Sequence, residues 1–240
     1  MPHDTARRGF LRQSISILPV SALAAATPAA TSTPRQTAAL PSAGAARSAY
    51  VPSFFHPAEW AFLQAAVARL IPFDALGPGA LEAGVPEFID RQMEGPFGHA
   101  ANWYMQGPFL AVAPEFGYQA KLPPRDVYRQ GMAATDAYCQ ATWAGQVFAQ
   151  LTPTQQDQVL KGLESGQIVL DGVAASSFFG FLLQNTKEGY LSDPIHGGNK
   201  DAGAWKMIGF PGARADYADW VGRPGEVYPL PPVSIAGPQG

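Results

Sequence analysis

"LTPTQQDQVLKGLESG", Leu151 to Gly166, decides the fold class. Thr152 offers its hydroxyl to the backbone of Gln155, and Gln155 reaches back, a capping box that satisfies two of the amides every helix start leaves open. Pro153 stands first in the helix, where its missing N–H has no consequence, and Gly166 supplies the stop. A helix is predicted here on chemistry rather than on propensity alone.

Working outward, the same grammar recurs. "HPAEWAFLQAAVARLIP", residues 56–72, places Trp60, Leu63, Val67 and Leu70 at helical spacing, with Pro57 early and Pro72 just beyond the end. "GVPEFIDRQMEGP", residues 84–96, has Pro86 early, Phe88, Ile89 and Met93 as its apolar positions, and Gly95-Pro96 as terminator. Glu87 and Arg91, four apart, read as a pair on a solvated face, worth a few tenths of a kcal/mol. "PPRDVYRQGMAATDAYCQATWAGQVFAQL", residues 123–151, reads as one long helical pattern carrying Val127, Tyr128, Met132, Tyr138, Cys139, Thr142, Trp143 and Phe148. "DGVAASSFFGFLLQNTKEGYL", residues 171–191, starts at an Asp and supports a buried helix through Phe178, Phe179, Phe181, Leu182 and Leu183. The only strand signal is "QIVL", residues 167–170. The expectation is an all-α, single-domain irregular helical bundle, with 23 prolines and 25 glycines punctuating long ordered loops and no internal repeat.

The first thirty residues have a different character. "MPHDTARRGFLRQSISILPVSALAAATPAA" sets Arg7 and Arg8 before Phe10 and Leu11, then an Ala-rich, weakly apolar run ending in small residues. That pattern is a twin-arginine export signal, expected over 1–30. A retained anchor would need about 20 strongly apolar residues, and Pro19, Pro28 and several Ser and Thr interrupt this run. Residues 31–52, rich in Ser, Thr, Pro and Ala without an apolar face, are expected to form a disordered, flexible leader. A folded domain over 53–222 and a Pro/Gly-rich tail over 223–240 follow. Because the twin-arginine route carries folded cargo, the mature chain either holds a cofactor or travels with a protein that does.

Composition excludes several partners. Of 16 basic and 19 acidic side chains, 13 and 18 remain once Arg7, Arg8, Arg12 and Asp4 leave with the signal, a charge of about −5. No basic stripe of the kind that binds nucleic acid is present. Cys139 is the sole cysteine, so no intrachain disulfide can form, and burial in a helix is its expected fate.

A self-contained active site is hard to assemble. "GLESG" has the wrong spacing for a nucleophile elbow, and "GPGALEAG" follows a helix rather than a strand. His3, His56, His99 and His196 lie at least 40 residues apart, with no Cys-x-x-Cys or Cys-x-x-Cys-His. No metal, haem or flavin site is therefore expected in this chain. Asp90 and Glu94 share a helix face, which reads as solvated charge. Two rival classes stay open: a stand-alone periplasmic enzyme using His56, His99 or His196 with carboxylates, and a ligand-binding module with a cleft lined by Trp103, Tyr104, Phe109 and Trp143. Those four aromatics are more simply core.

The most chemically loaded stretch is "SDPIHGGNKDAGAWKMIGFPG", residues 192–212. Asp193-Pro194 begins a turn, Gly197-Gly198-Asn199 permits positive φ, and Phe210-Pro211-Gly212 forms another turn. Trp205 and Ile208 are expected to pin the loop to the core, while Lys206 caps or pairs. His196 as base with Lys200 or Lys206 as anion contact is the catalytic option. A structural loop and a partner-docking loop are the others.

Together with the twin-arginine leader, "FFHPAEWAFLQAAVARLIP", Gly-Val-Pro-Glu-Phe-Ile-Asp and above all "DPIHGGNKDAGAWKMIGFPG" make the chain resemble the small subunit (subunit 3, or gamma subunit) of gluconate 2-dehydrogenase, over roughly Phe54 to Val221. It departs from the family at His196, where an aromatic is commoner, and at Ala204, where glycine precedes the tryptophan. The resemblance implies a heterotrimer at the periplasmic face of the inner membrane. In it an FAD-containing large subunit oxidises the sugar acid and passes electrons to a multihaem cytochrome c. The small subunit, without catalytic residues or cofactor of its own, binds the flavoprotein and supports its folding and export. The candidate docking or structural residues are then Asp193, His196, Gly197, Gly198, Asn199, Trp205, Lys206, Phe210, Pro211 and Gly212.

Overall fold

Short amphipathic segments cut by proline and glycine are marginal alone and become stable by burying their apolar stripes against one another. The structure, a computed structural model, describes residues 50–110 and 112–237. Its α-helices are α1 (Pro57–Leu70), α2 (Val85–Glu94), α3 (Pro124–Thr142), α4 (Pro153–Glu164), α5 (Ala175–Leu191) and the short α6 (Gly203–Ile208). Among the described residues there is no strand, only isolated bridges, so the chain is all-α as the sequence predicts. The signal residues Arg7, Arg8, Phe10 and Leu11 lie outside the described residues.

Helix α5 is the centre, packed by α1, α2, α3 and α4. Its Phe178, Phe179 and Leu182 are buried, each contributing about 1.5–3 kcal/mol by leaving water. Phe62 of α1 lies 4.5 Å from Phe148 and 6.0 Å from Phe178, ring centre to ring centre. Tyr128 of α3 donates its hydroxyl to Asn185 of α5 at 3.0 Å, so this buried polar pair is satisfied. Phe62 and Ala66 join Leu63 and Val67 on the buried stripe of α1, whereas Trp60 and Leu70 are only half-buried.

Capping explains where helices begin and end. Thr152 and Gln155 make the predicted box, at 3.4 Å to the Gln155 amide and 2.9 Å back to the Thr152 amide. The long pattern after Pro123 is not one helix. It ends at Thr142, because Ala144 and Gly145 take positive φ and redirect the chain, and Phe148 reaches the core from a 3₁₀ turn, Phe148–Gln150. Helix α5 starts at Ala175 rather than at Asp171, and "QIVL" sends Ile168 and Leu170 inward without pairing as a strand. Cys139 is buried as expected, and burial, with Asp136 adding to it, pushes its thiol up to about 12.

Asp90 overturns the solvated-charge reading of the Asp90 and Glu94 face. Glu94 is exposed, but Asp90 is fully buried. The segment entering α1 crosses that face of α2, and its amides need acceptors where water cannot reach. The Asp90 carboxylate takes them all: the amides of Ser53 (2.8 Å), Phe54 (3.1 Å) and Phe55 (3.0 Å), and the hydroxyls of Tyr50 (2.8 Å) and Ser53 (3.1 Å). Periodicity alone does not reveal this, because the partners sit 35 or more residues upstream.

Candidate functional site

The loop leaving α5 is built on side-chain hydrogen bonds to backbone, since it has no ladder of its own. Asp193 caps the 3₁₀ turn Pro194–His196 by accepting the Ile195 amide at 3.1 Å. The same carboxylate takes the Ser234 hydroxyl at 2.6 Å and the Ile235 amide at 2.9 Å, which straps the C-terminal tail across the loop. Burial pushes the Asp193 carboxyl up, but those three hydrogen bonds and nearby His196 outweigh it and hold it below the usual range.

The next turn passes close to α5. A Cβ on Gly198 would stand 2.1 Å from the Gly189 carbonyl oxygen, so glycine is required there by contact rather than by φ. Asn199, fully buried at φ +45°, donates from its amide nitrogen to the Ser192 carbonyl at 2.9 Å and accepts the Ala204 amide at 2.9 Å. Asp201 and Ala202 also take positive φ, at +58° and +51°. Left-handed backbone at non-glycine residues costs about 1–2 kcal/mol each, so the surroundings must enforce it. They do so through Asn199, through the Lys200 amide on the Ala83 carbonyl at 3.0 Å, and through Lys200 Nζ on Glu87 Oε2 at 2.6 Å. Glu87 was expected on a solvated face. It is instead buried, bridging Arg91 and Lys200 and so joining α2 to the loop.

Trp205 is buried, as predicted, and donates its indole N–H to the Leu191 carbonyl at 2.8 Å. Phe210 packs edge-on against it at 5.0 Å. Gly212, at φ +70°, lets the chain touch the tail: Val233 donates to the Pro211 carbonyl at 3.1 Å and accepts the Ala213 amide at 2.7 Å. A Cβ there would come within 2.2 Å of the Val233 carbonyl oxygen. Two other expectations change. Ile208 points outward, 52% exposed, because α6 is too short to bury both faces, and Lys200 takes the ion pair offered to Lys206, which is exposed.

The outer side of this strapped loop is apolar. Met207, Ile208 and Phe210 are all accessible, and next to them the turn after α1 presents Phe73 and Leu76, 70% and 72% exposed. The turn is held there by Gly77 against Met207 and by the Tyr190 hydroxyl donating to the Pro78 carbonyl at 2.8 Å. Phe73 and Leu76 were missed in the sequence. Two large apolar residues in a Pro/Gly-rich turn just past a helix stop were the available signal. His196 is exposed on its 3₁₀ turn.

The remaining candidates separate. The His56 and His99 rings are approached by Arg129 and Arg125, and among the described residues neither ring has a carboxylate within ion-pair distance. Trp103 packs with Phe97, Tyr118 and Phe181, and Trp143 with Tyr138. Tyr104 and Phe109 are exposed rather than core, standing in the long connection between α2 and α3. Among the described residues no three His, Cys, Asp or Glu side chains converge as a metal site, and no helix is long and apolar enough to cross a membrane.

No curated protein and no solved structure matches the chain. Residues 57–212 match the family described as gluconate 2-dehydrogenase subunit 3, a span that opens on the first residue of α1 and closes on Gly212. That is more than half of the 240 residues, and it takes in both the helical core and the whole strapped loop: the chain belongs to the gluconate 2-dehydrogenase subunit 3 family.

Proposed function

We propose that this protein is the non-catalytic small subunit of a periplasmic, membrane-associated, FAD-dependent gluconate 2-dehydrogenase complex. It binds the flavoprotein subunit, supports its folding and carries it out on a twin-arginine signal at Arg7 and Arg8. It holds no cofactor; FAD resides in the flavoprotein and c-type haem in a cytochrome subunit. Family membership supports the assignment to such a complex. The observation that carries the docking role is the apolar surface of Phe73, Leu76, Met207, Ile208 and Phe210 on a backbone fixed by Asp193, Asn199 and Trp205. Contiguous exposed apolar side chains mark interaction surfaces, and a preorganised one loses little entropy on binding.

The test is co-expression with the flavoprotein, reading sugar-acid dehydrogenase activity in periplasmic fractions and flavin retained on the tagged small subunit. Ile208→Asp with Leu76→Ser should release the flavoprotein while the melting temperature of the small subunit holds, because these side chains are 52% and 72% exposed. Arg7→Lys with Arg8→Lys should strand activity in the cytoplasm. Flavin capture undiminished by the loop variant would remove the docking surface, and normal periplasmic activity in the arginine variant would remove the export role.

A further inference from the structure

Phe54 is the centre of a second feature. Its ring lies under two guanidinium groups, those of Arg125 at 4.9 Å and Arg129 at 4.4 Å from the ring centroid. The two cations are therefore closer together than the sum of those distances, one helical turn apart on α3. Arg129 is further held by donating to the Phe54 carbonyl at 3.0 Å and by its contact with His56 Nε2 at 3.3 Å, and Arg125 by its contact with the His99 ring.

What these arginines lack is a counter-ion. Every other arginine of the described residues has a carboxylate within ion-pair distance: Arg69 with Asp157, Arg91 with Glu87, Arg214 with Asp216, Arg223 with Glu226. Arg125 and Arg129 have none among the described residues. Of the nearby carboxylates, Asp90 is held by its five donors and Glu59 by the His56 amide at 2.9 Å, and Asp126, which lies between the two arginines in sequence, comes within ion-pair distance of neither. Two half-exposed like charges, inside one Debye length of about 8 Å or little more, repel each other in a chain that is acidic overall. Stacking and hydrogen bonding fix them in place, so an incoming acid would meet guanidinium groups already ordered.

We propose that Arg125 and Arg129, flanked by His56 and His99, form a carboxylate-receiving site that takes clustered Asp or Glu side chains of the flavoprotein subunit, as a second docking point in addition to the apolar loop. It rests on the reading that this chain docks that subunit. Arginine suits the role because its planar fork donates two parallel hydrogen bonds to one carboxylate. Charge complementarity of this kind sets register and association rate, and makes binding sensitive to salt.

The experiment titrates purified small subunit, wild type and Arg125→Glu/Arg129→Glu, into the flavoprotein at several NaCl concentrations, following the bound fraction by flavin fluorescence anisotropy. Circular dichroism and melting temperature verify folding, and Arg125→Gln alone serves if the double variant fails, since Arg125 makes no hydrogen bond to Phe54. The expected result is affinity that falls with salt for wild type, is weaker by about tenfold or more in the folded variant, and there responds little to salt. A folded variant whose Kd and salt dependence equal those of wild type overturns the proposal while leaving the loop as docking surface intact. A wild-type chain that binds no flavoprotein at all sinks the docking reading and this site with it. Binding to phosphatidylglycerol vesicles that is lost in the variant, with flavoprotein affinity unchanged, would assign the arginines to a membrane surface and overturn the proposal as stated.

Discussion

Replacing Asp90 by alanine strips the acceptor from five donors at once, and the structure divides them by exposure. The Tyr50 hydroxyl and both Ser53 groups lie close enough to solvent to turn to water. The amides of Phe54 and Phe55 belong to residues only 2% and 3% exposed and have nowhere else to go. Each buried, unsatisfied donor costs about 1–3 kcal/mol, so Asp90→Ala should lose about 2–6 kcal/mol. That is a large share of a typical total of about 5–15 kcal/mol. Asp90→Asn keeps one oxygen for the two buried amides and should lose less, about 1–2 kcal/mol. Urea unfolding measures both, and Trp60, whose ring is 5.9 Å from Tyr50, reports the local clasp by fluorescence. An independent reading comes from the Tyr50 phenol, pushed up to about 12 by burial first and then by its hydrogen bond to Asp90. A raised value means the phenol favours the fold fully below its ordinary 10.0, and that contribution disappears as pH climbs from there towards 12. In Asp90→Asn the phenolate absorbance should rise at lower pH than in wild type. An alanine variant within about 0.5 kcal/mol of wild type, with the Tyr50 titration unmoved, would refute the idea that this carboxylate anchors the entry to α1.

Two further outcomes follow from the loop. Trp205→Ala removes a buried indole and its bond to Leu191, at about 3–5 kcal/mol, and should lower the melting temperature by roughly 6–20 °C, whereas exposed His196→Phe should change it little and leave activity of the co-expressed complex intact. Activity lost in His196→Phe with assembly and melting temperature unchanged would mark His196 as a chemical group. Asp193, held below its ordinary 3.8, stabilises the fold above that value and stops doing so as pH falls below it. The stability gap between wild type and Asp193→Asn should therefore be widest near neutrality and close in acid, and amide exchange at Ile235 should quicken in the variant; equal exchange in both proteins would show that the tail is not strapped by this carboxylate.

Local chemistry determined the helices. Thr152 and Gln155 satisfy each other within four residues of chain, and Leu63 and Val67 share a face through the 3.6-residue turn, so capping and periodicity are readable without knowing what packs against them. The turn residues of the loop and the anchoring of Trp205 were legible for the same reason: glycine, Asn-mediated turns and a lone tryptophan in a polar stretch have few alternatives. Tertiary structure decided which charges are solvated. Asp90 and Glu87 look alike in sequence to any surface acid on a helix, but Asp90 meets a backbone segment 35 to 40 residues upstream and Glu87 a lysine more than 100 residues downstream. It also decided which large apolar side chains face out, leaving Ile208 on the surface because α6 is too short to bury a second face, and Phe73 and Leu76 because they stand in the turn after α1. Burial and ion pairing between distant segments depend on how helices are arranged in space, and no local pattern encodes that arrangement.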